Sequence, residues 1–128
     1  MDPIANFIIQ IKNAGEAGKE TVALPYSKLK NAITEVLEKE GFIKNQTKKG
    51  KKTNKSIEVT LLYNEKMPRI KGVKRISTPS KRIYYGAQNL FSVKSGYGSL
   101  ILSTSKGILT EKDARKQKIG GEALFEIW

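Results

Sequence analysis

Cysteine and histidine are both absent from the 128 residues of this chain. The lack of cysteine excludes disulfides, thiolate nucleophiles and Cys/His zinc sites, and the lack of histidine removes the commonest general base. Long apolar runs are also missing, since no stretch approaches the ~20 residues that cross a membrane. The opening MDPIANFIIQIK has an acid ahead of its apolar residues, so we expect no signal peptide and a cytoplasmic protein.

Acidic residues are few relative to basic ones. There are 12 Asp and Glu against 24 Lys and Arg, which gives a net charge of +12 and a pI near 9.9. Because the excess is spread over both halves of the chain, it indicates a polyanionic partner, with nucleic acid favoured over a membrane surface. Apolar residues make up 38% of the chain and recur periodically, which predicts one compact unit or two very small ones.

Apolar spacing in the first half predicts the order α-β-α-β-β. Asp2-Pro3 suits the start of a helix, which Gly15 and Gly18 would end. Ser27 suits the cap of a second helix, and Gly41 suits its left-handed stop. Strands are predicted at residues 20–24, 42–46 and 57–63.

A lysine-rich segment, TKKGKKTNK at residues 47–55, joins the last two of these strands and is predicted to form the tip of a β-hairpin. Its lysines are Lys48, Lys49, Lys51, Lys52 and Lys55. They fit contact with phosphate, but a solvated flexible loop has the same composition. The residues alone leave both interpretations open.

The second half is predicted to contain strands, turns and one short helix. Residues 63–68 (YNEKMP) are the best candidate linker, so we expect one domain over residues 1–66 and another over 67–128. Strands are predicted at residues 69–76, with a bulge at Gly72, and at 82–85, 99–102 and 122–128. Thr110 suits the helix N-cap, with Asp113 as its capping-box partner and Gly120-Gly121 as its stop. The fold class is therefore α/β, in an α+β arrangement.

Three consecutive hydroxyls, Ser103, Thr104 and Ser105, precede Lys106 and Gly107 just ahead of that helix. Phosphate-binding loops use these residue types. A nucleotide-binding P-loop needs Gly-Lys-Ser/Thr directly at a helix start, however, and here the order is reversed. Ser105 and Lys106 also make poor partners for nucleophilic catalysis, because adjacent residues on an extended chain point to opposite faces. We therefore expect no enzyme, no catalytic residue, no metal and no cofactor.

Two interpretations of residues 103–107 remain. A polar turn between a strand and a helix uses one or two hydroxyls to bond its own backbone. A binding loop explains more of the segment, because hydroxyls bond phosphate oxygens, ribose 2′-OH groups and base edges, while the lysine supplies charge and the glycine permits close approach. The second interpretation predicts an RNA-binding site.

Other residues suit the same role. Tyr84 and Tyr85 follow Arg82 and can stack on exposed bases, although alternation predicts that one of the two packs in the core. Glu122, unexpected beside phosphate, would accept a hydrogen bond from a base amino group or orient a lysine. With Lys112 from the mostly polar helix, these residues complete the predicted RNA-binding set.

Four stretches resemble the small-subunit ribosomal protein eight family, a bacterial-type, universal ribosomal protein. They are DPIANFIIQIKNA (2–14), LPYSKLKNAITEVLEKEGFI (24–43), RISTPSKRIYYG (75–86) and STSKGILTEKDARKQKIGGEALFEIW (103–128). They follow the family's order over nearly the whole chain, and the spacing of hydroxyl-Lys-Gly to Gly-Gly-Glu is very specific. One departure is Thr78-Pro79-Ser80, where the family usually has Arg-Pro-Gly, which removes a positive charge.

The resemblance implies two small α/β domains packed side by side, and a primary binder of the central domain of small-subunit ribosomal RNA that acts early in assembly. The C-terminal domain would recognise an irregular helix with an internal loop. The matching positions are Ser103, Thr104, Ser105, Lys106, Gly107, Tyr84 and Glu122. The implied partners are the neighbouring small-subunit proteins five and twelve and, for some members, their own messenger RNA. The protein would be a monomer within the ribosome, and a general basic RNA chaperone is the alternative.

Overall fold

The structure is a computed structural model that describes residues 3–50 and 55–128. The predicted N-cap Asp2 and the tip lysines Lys51 and Lys52 lie outside the described residues. The chain divides into two compact units, Ile4–Lys71 and Gly72–Trp128. The elements are a mixture of helices and antiparallel strands, so the predicted α+β class is confirmed.

The N-terminal unit has the predicted α-β-α-β-β order. Its elements are α1 (Pro3–Glu16), β1 (Thr21–Pro25), α2 (Lys28–Lys39), β2 (Ile43–Lys49) and β3 (Ser56–Leu61). The Ser27 hydroxyl accepts a hydrogen bond from the Lys30 N–H at 3.1 Å, so the predicted cap of α2 is confirmed. Gly41 follows α2 with a φ of 81°, which is the predicted left-handed stop. Gly15 does not end α1, which contains it.

The three strands of this unit form an antiparallel sheet in the order β1-β3-β2. Leu24 on β1 pairs with Ile57 on β3, and both side chains are buried. The apolar faces of α1 and α2 supply much of the remaining core, as their helical spacing predicted. These buried residues are Phe7, Ile8, Ile11, Ile33 and Leu37.

The segment predicted as a linker folds into a small hairpin of its own, β4 (Tyr63–Asn64) paired with β5 (Met67–Pro68). The Tyr63 hydroxyl donates a hydrogen bond to the Lys19 carbonyl at 2.5 Å, and Ile70 is buried. These contacts attach the hairpin to the N-terminal unit. The division between the two units accordingly falls after Lys71, a few residues beyond the expected boundary.

The C-terminal unit is built on one antiparallel sheet. Its strands and helix are β6 (Val73–Arg75), β7 (Tyr84–Tyr85), β8 (Ser99–Thr104), β9 (Gly107–Thr110), α3 (Glu111–Lys116) and β10 (Gly121–Ile127). The strand order is β6-β10-β8-β9, and β7 also pairs with β10. One face of the sheet buries Leu100, Leu102 and Ala123 against Ala114 of α3.

Three sequence-based predictions for this unit are wrong in detail. The strand expected at 69–76 is confined to β6, because the preceding residues belong to the other unit. Gly72 forms no bulge: its N–H and carbonyl both pair with Trp128, and a Cβ there would lie 2.5 Å from the Trp128 ring. The helix does not directly follow residues 103–107 as expected, because residues 108 and 109 belong to strand β9 and α3 begins at Glu111.

No helix within the described ranges is long and apolar enough to span a membrane.

Candidate nucleic-acid interface

The hydroxyl-rich segment is the end of a β-hairpin and not a connection between a strand and a helix. Strands β8 and β9 pair up to Thr104 opposite Gly107, which leaves Ser105 and Lys106 as the turn. Gly107 has a φ of 101°, a conformation that favours glycine. The Thr104 hydroxyl donates to the Gly107 carbonyl at 2.8 Å and accepts from the Lys106 N–H at 3.1 Å. The Thr104 hydroxyl is therefore used to stabilise the turn.

The other two hydroxyls of the segment are not used by the turn. Ser105 is exposed and Ser103 is half-buried, and neither side chain has a hydrogen bond to another described residue. Lys106 is exposed beside them. Two hydroxyls and one ammonium group are thus available to a ligand at the end of this hairpin.

Three neighbouring strands bring Tyr84, Glu122 and Ser103 into one row. Glu122 on β10 pairs with Tyr84 on β7 and with Ser103 on β8. Directly paired side chains of an antiparallel sheet share a face, with Cβ atoms ~4.5–5.5 Å apart. The next residues along the strands, Leu102 and Ala123, point the other way and are buried in the core. The row therefore lies on the sheet face opposite that core.

Two glycines make this row possible. A Cβ on Gly121 would lie 2.3 Å from the Ser103 carbonyl oxygen, and one on Gly120 would lie 2.2 Å from the Tyr85 carbonyl oxygen. The sequence-based assignment of these glycines as a helix stop is wrong, because α3 already ends at Lys116. The sequence signal for close strand packing was the placement of Gly120 and Gly121 directly before the predicted strand that begins at Glu122.

Glu122 is held by an ion pair with Arg82 across the sheet. The guanidinium lies 3.4 Å from the carboxylate, and the side chains are 60% exposed for Arg82 and 14% exposed for Glu122. An ion pair with one exposed partner contributes little stability, but it orients the carboxylate. A carboxylate has lone pairs beyond those that one arginine uses, so Glu122 can still accept hydrogen bonds from a ligand.

The two adjacent tyrosines separate as alternation predicts. Tyr84 is 66% exposed, whereas Tyr85 is half-buried and packs edge-to-face on Phe91 with ring centroids 5.5 Å apart. The expectation that one tyrosine belongs to the core is confirmed. Tyr84 presents an aromatic ring at the end of the row, where a base can stack on it.

Lys112 is exposed on α3 and is not part of the row. The Thr110 hydroxyl accepts from the Asp113 N–H at 3.3 Å, which confirms the predicted cap of this helix. Residues 78–81 form a turn, in which the Thr78 hydroxyl accepts a hydrogen bond from the Lys81 N–H at 3.1 Å.

Glu111, the first residue of α3, carries a buried carboxylate. It is fully buried, and its Oε2 accepts a hydrogen bond from the Leu100 N–H at 2.6 Å, while Oε1 has no partner in the described structure. Burial raises the pKa of Glu111, and the hydrogen bond from Leu100 opposes that rise. The pairing of β8 with β9 ends at Ile101 opposite Thr110. The Glu111 carboxylate therefore accepts the hydrogen bond from Leu100 that the carbonyl of a further β9 residue would otherwise accept.

The described residues contain no group of three or more acidic side chains placed to bind a metal ion.

Comparison with known proteins extends over the whole chain. The family model described as Ribosomal protein S8 matches residues 2–128. The small ribosomal subunit protein uS8 of Mycoplasmopsis agalactiae is 49% identical over 127 residues, which is 99% of this chain and 97% of that protein. The protein of the same name from Acholeplasma laidlawii is 48% identical over 128 residues, with 99% and 97% covered. That of Persephonella marina is 44% identical over 133 residues, with 99% and 98% covered.

Proposed function

This chain belongs to the ribosomal protein S8 family, and from that premise we propose that it is a primary binder of the central domain of small-subunit ribosomal RNA and aids assembly of that domain. Membership makes it a structural constituent of the small ribosomal subunit, located in the cytoplasmic ribosome, and not an enzyme. The sequence-based expectations of a ribosomal protein without catalytic activity are confirmed.

The observation that carries the proposal is the arrangement of polar groups able to bind a ligand beside an exposed ring. Ser103, Glu122 and Tyr84 form one row, and the hairpin end adds Ser105 and Lys106. Hydroxyls suit ribose 2′-OH groups and base edges, the carboxylate suits a base amino group, and the ring suits stacking. The row therefore combines base reading with phosphate contact.

An irregular RNA helix is the ligand that fits this row. A regular A-form duplex keeps its bases stacked and its major-groove base edges out of reach in a deep, narrow groove, whereas an internal loop exposes unstacked bases. Tyr84, 66% exposed, needs such a base to stack on. We therefore propose that the C-terminal unit recognises an internal loop.

Charge supplies the part of the affinity that does not depend on sequence. The chain carries a net charge of +12, and each lysine or arginine that neutralises a phosphate releases a counterion. Arg82, Lys106 and Lys112 lie in the C-terminal unit, and we propose that they position the RNA. Base-reading residues then select the site.

The N-terminal unit is proposed to contact a second RNA segment and the neighbouring small-subunit proteins five and twelve, with the protein a monomer within the ribosome. Binding to its own messenger RNA is proposed by the same reasoning, since a messenger segment that presents a similar internal loop would fit the same row.

A general basic RNA chaperone is the alternative function. It predicts equal binding to an internal-loop helix and a plain duplex.

Truncation of Ser105 tests the base-reading role. We expect Ser105→Ala to weaken binding to the internal-loop helix by about 1–3 kcal/mol, the scale of one base-reading contact. Binding to a fully paired duplex should not change, because the charge is the same. Titration of both RNAs with wild-type and variant protein measures the difference.

Ser92→Ala is the matched control, because Ser92 is an exposed serine of the same unit outside the row. It should leave both affinities at the wild-type value. Full-strength binding of the internal-loop helix by the Ser105→Ala protein would contradict the assignment of the hairpin end as a reader.

A further inference from the structure

We propose that Tyr26, Lys48 and Lys55 form a second RNA-backbone site, on the N-terminal unit, in which the two ammonium groups bind phosphates. This inference rests on the proposed function, since it takes small-subunit ribosomal RNA as the ligand. The sequence left the lysine-rich segment open between phosphate contact and a solvated loop. Two of its lysines converge on one aromatic ring, which is more order than a solvated loop predicts.

Both ammonium groups contact the same ring. Lys48 Nζ and Lys55 Nζ each lie 5.4 Å from the centroid of the Tyr26 ring, within the ~6 Å of a cation–π contact. The two charges are therefore no farther apart than twice that distance. Tyr26 is half-buried and both lysines are exposed, so the ring is a fixed base and the ammonium groups are accessible.

The backbone holds this arrangement in place. The Tyr26 N–H donates a hydrogen bond to the Lys55 carbonyl at 3.2 Å, which ties the start of α2 to the hairpin. Lys48 pairs with Ile57, which in turn pairs with Leu24 on β1. Lys48 consequently lies on the face of the sheet that carries the buried Leu24 and Ile57, close to the end of the sheet at which β1 leads into Tyr26.

The neighbouring lysine, Lys49, differs from Lys48 and Lys55 because a carboxylate compensates its charge. Lys49 points to the opposite face and forms an ion pair with Glu58 at 3.0 Å. Within residues 3–50 and 55–128, no carboxylate forms an ion pair with Lys48 or Lys55. The first turn of α2, directly after Tyr26 and Ser27, also contains no acidic residue. Two uncompensated charges beside a helix N-terminus favour an anion.

RNA is the polyanion that this site fits best. Ammonium groups bind phosphate as point charges and read no base. Contacts of that kind position the RNA without selecting a sequence. The site therefore adds affinity, while the row in the C-terminal unit supplies discrimination, and this difference separates the two in an experiment.

The test is the salt dependence of binding by the full chain. The probe is the intact central domain of small-subunit ribosomal RNA, titrated at several salt concentrations. Each phosphate contact contributes about 0.7–0.9 to the slope of log Kobs against log salt, so the double variant Lys48→Gln/Lys55→Gln should lower the magnitude of the slope by about 1.4–1.8. Lys49→Gln is the matched control and should leave the slope unchanged, because Glu58 already compensates its charge.

Variants of Tyr26 test the role of the ring. Tyr26→Leu removes the surface on which both lysines lie and should weaken binding about two- to five-fold, the scale of an exposed cation–π contact. Tyr26→Phe keeps the ring and should bind as the wild type does. Equal weakening of binding by both variants would show that the phenol hydroxyl matters and not the ring, and would contradict the role of the ring.

Each outcome separates this inference from the proposed function. A slope that is unchanged in the double variant overturns the site and leaves the two lysines to solvent or to an acidic protein partner. A slope that falls equally with Lys49→Gln also overturns it, because any surface charge would then suffice. Retained discrimination between internal-loop and paired RNA in the double variant shows that the C-terminal row still works. If the wild-type protein binds internal-loop and paired RNA equally well, that result contradicts the proposed function instead.

Discussion

Gly121→Ala should destabilise the C-terminal unit by about 1–3 kcal/mol or more, the cost of inserting a methyl group into a packed structure. The new Cβ would lie 2.3 Å from the Ser103 carbonyl oxygen, and a backbone atom cannot move aside as a flexible side chain can. Strands β8 and β10 must separate, so the Glu122–Ser103 pairing is disturbed as well. We therefore expect lower stability and weaker discrimination between internal-loop and paired RNA.

Thermal and urea unfolding, followed by the fluorescence of the single tryptophan, Trp128, measure the stability of this unit. Gly86→Ala is the control, because the nearest atom to its Cβ would be 4.0 Å away and its φ of −74° suits any residue. The control should be neutral or more stable by about 0.4–1 kcal/mol. A Gly121→Ala protein as stable as this control would show that close strand packing does not require the glycine.

Glu111→Ala should destabilise the same unit by about 1–3 kcal/mol, the cost of a buried donor left without a partner. The Leu100 N–H, which donates to the Glu111 carboxylate at 2.6 Å, would lose its acceptor. Glu111→Gln keeps an oxygen in that position and removes only the charge. Chemical unfolding of the two variants at neutral pH compares them, and equal stability of the Ala variant and wild type would contradict the role of the bond.

The pH dependence of stability has a definite sign. Burial raises the pKa of Glu111 above its usual value of 4.5. A raised pKa in the folded state means that the carboxyl group's contribution is fully present below pH 4.5 and is lost as pH rises through the folded-state pKa. The stability of the wild type relative to Glu111→Gln should therefore fall as pH increases above about 4.5. A constant difference across that range would contradict the burial of an ionisable carboxyl group.

Local features of the fold were predictable from sequence because they depend on short-range chemistry. Ser27 and Thr110 cap their helices as their residue types suggest, and alternation separated Tyr84 from Tyr85. These signals involve residues within a few positions of one another. Residue type alone proposed Ser103, Tyr84 and Glu122 as candidate site residues, but local patterns do not show that they lie together.

Long-range pairing was not predictable in the same way. β9 has four residues, too few for a reliable alternation pattern, so the sequence predicts a loop where the structure has the hairpin that presents Ser105. The row of Tyr84, Glu122 and Ser103 depends on the register of three strands far apart in sequence. The convergence of Lys48 and Lys55 on Tyr26 depends on tertiary contact in the same manner.

The most direct test of the central claim is a titration of this protein with the internal-loop RNA helix of the small-subunit central domain, beside a fully paired control. Both are measured at roughly physiological salt, where the Debye length is about 8 Å. Our account predicts that the internal-loop helix binds about a thousandfold more tightly or better, the range of specific recognition. Equal, salt-sensitive binding of the two RNAs would contradict it, and would identify the chain as a basic protein without a reader.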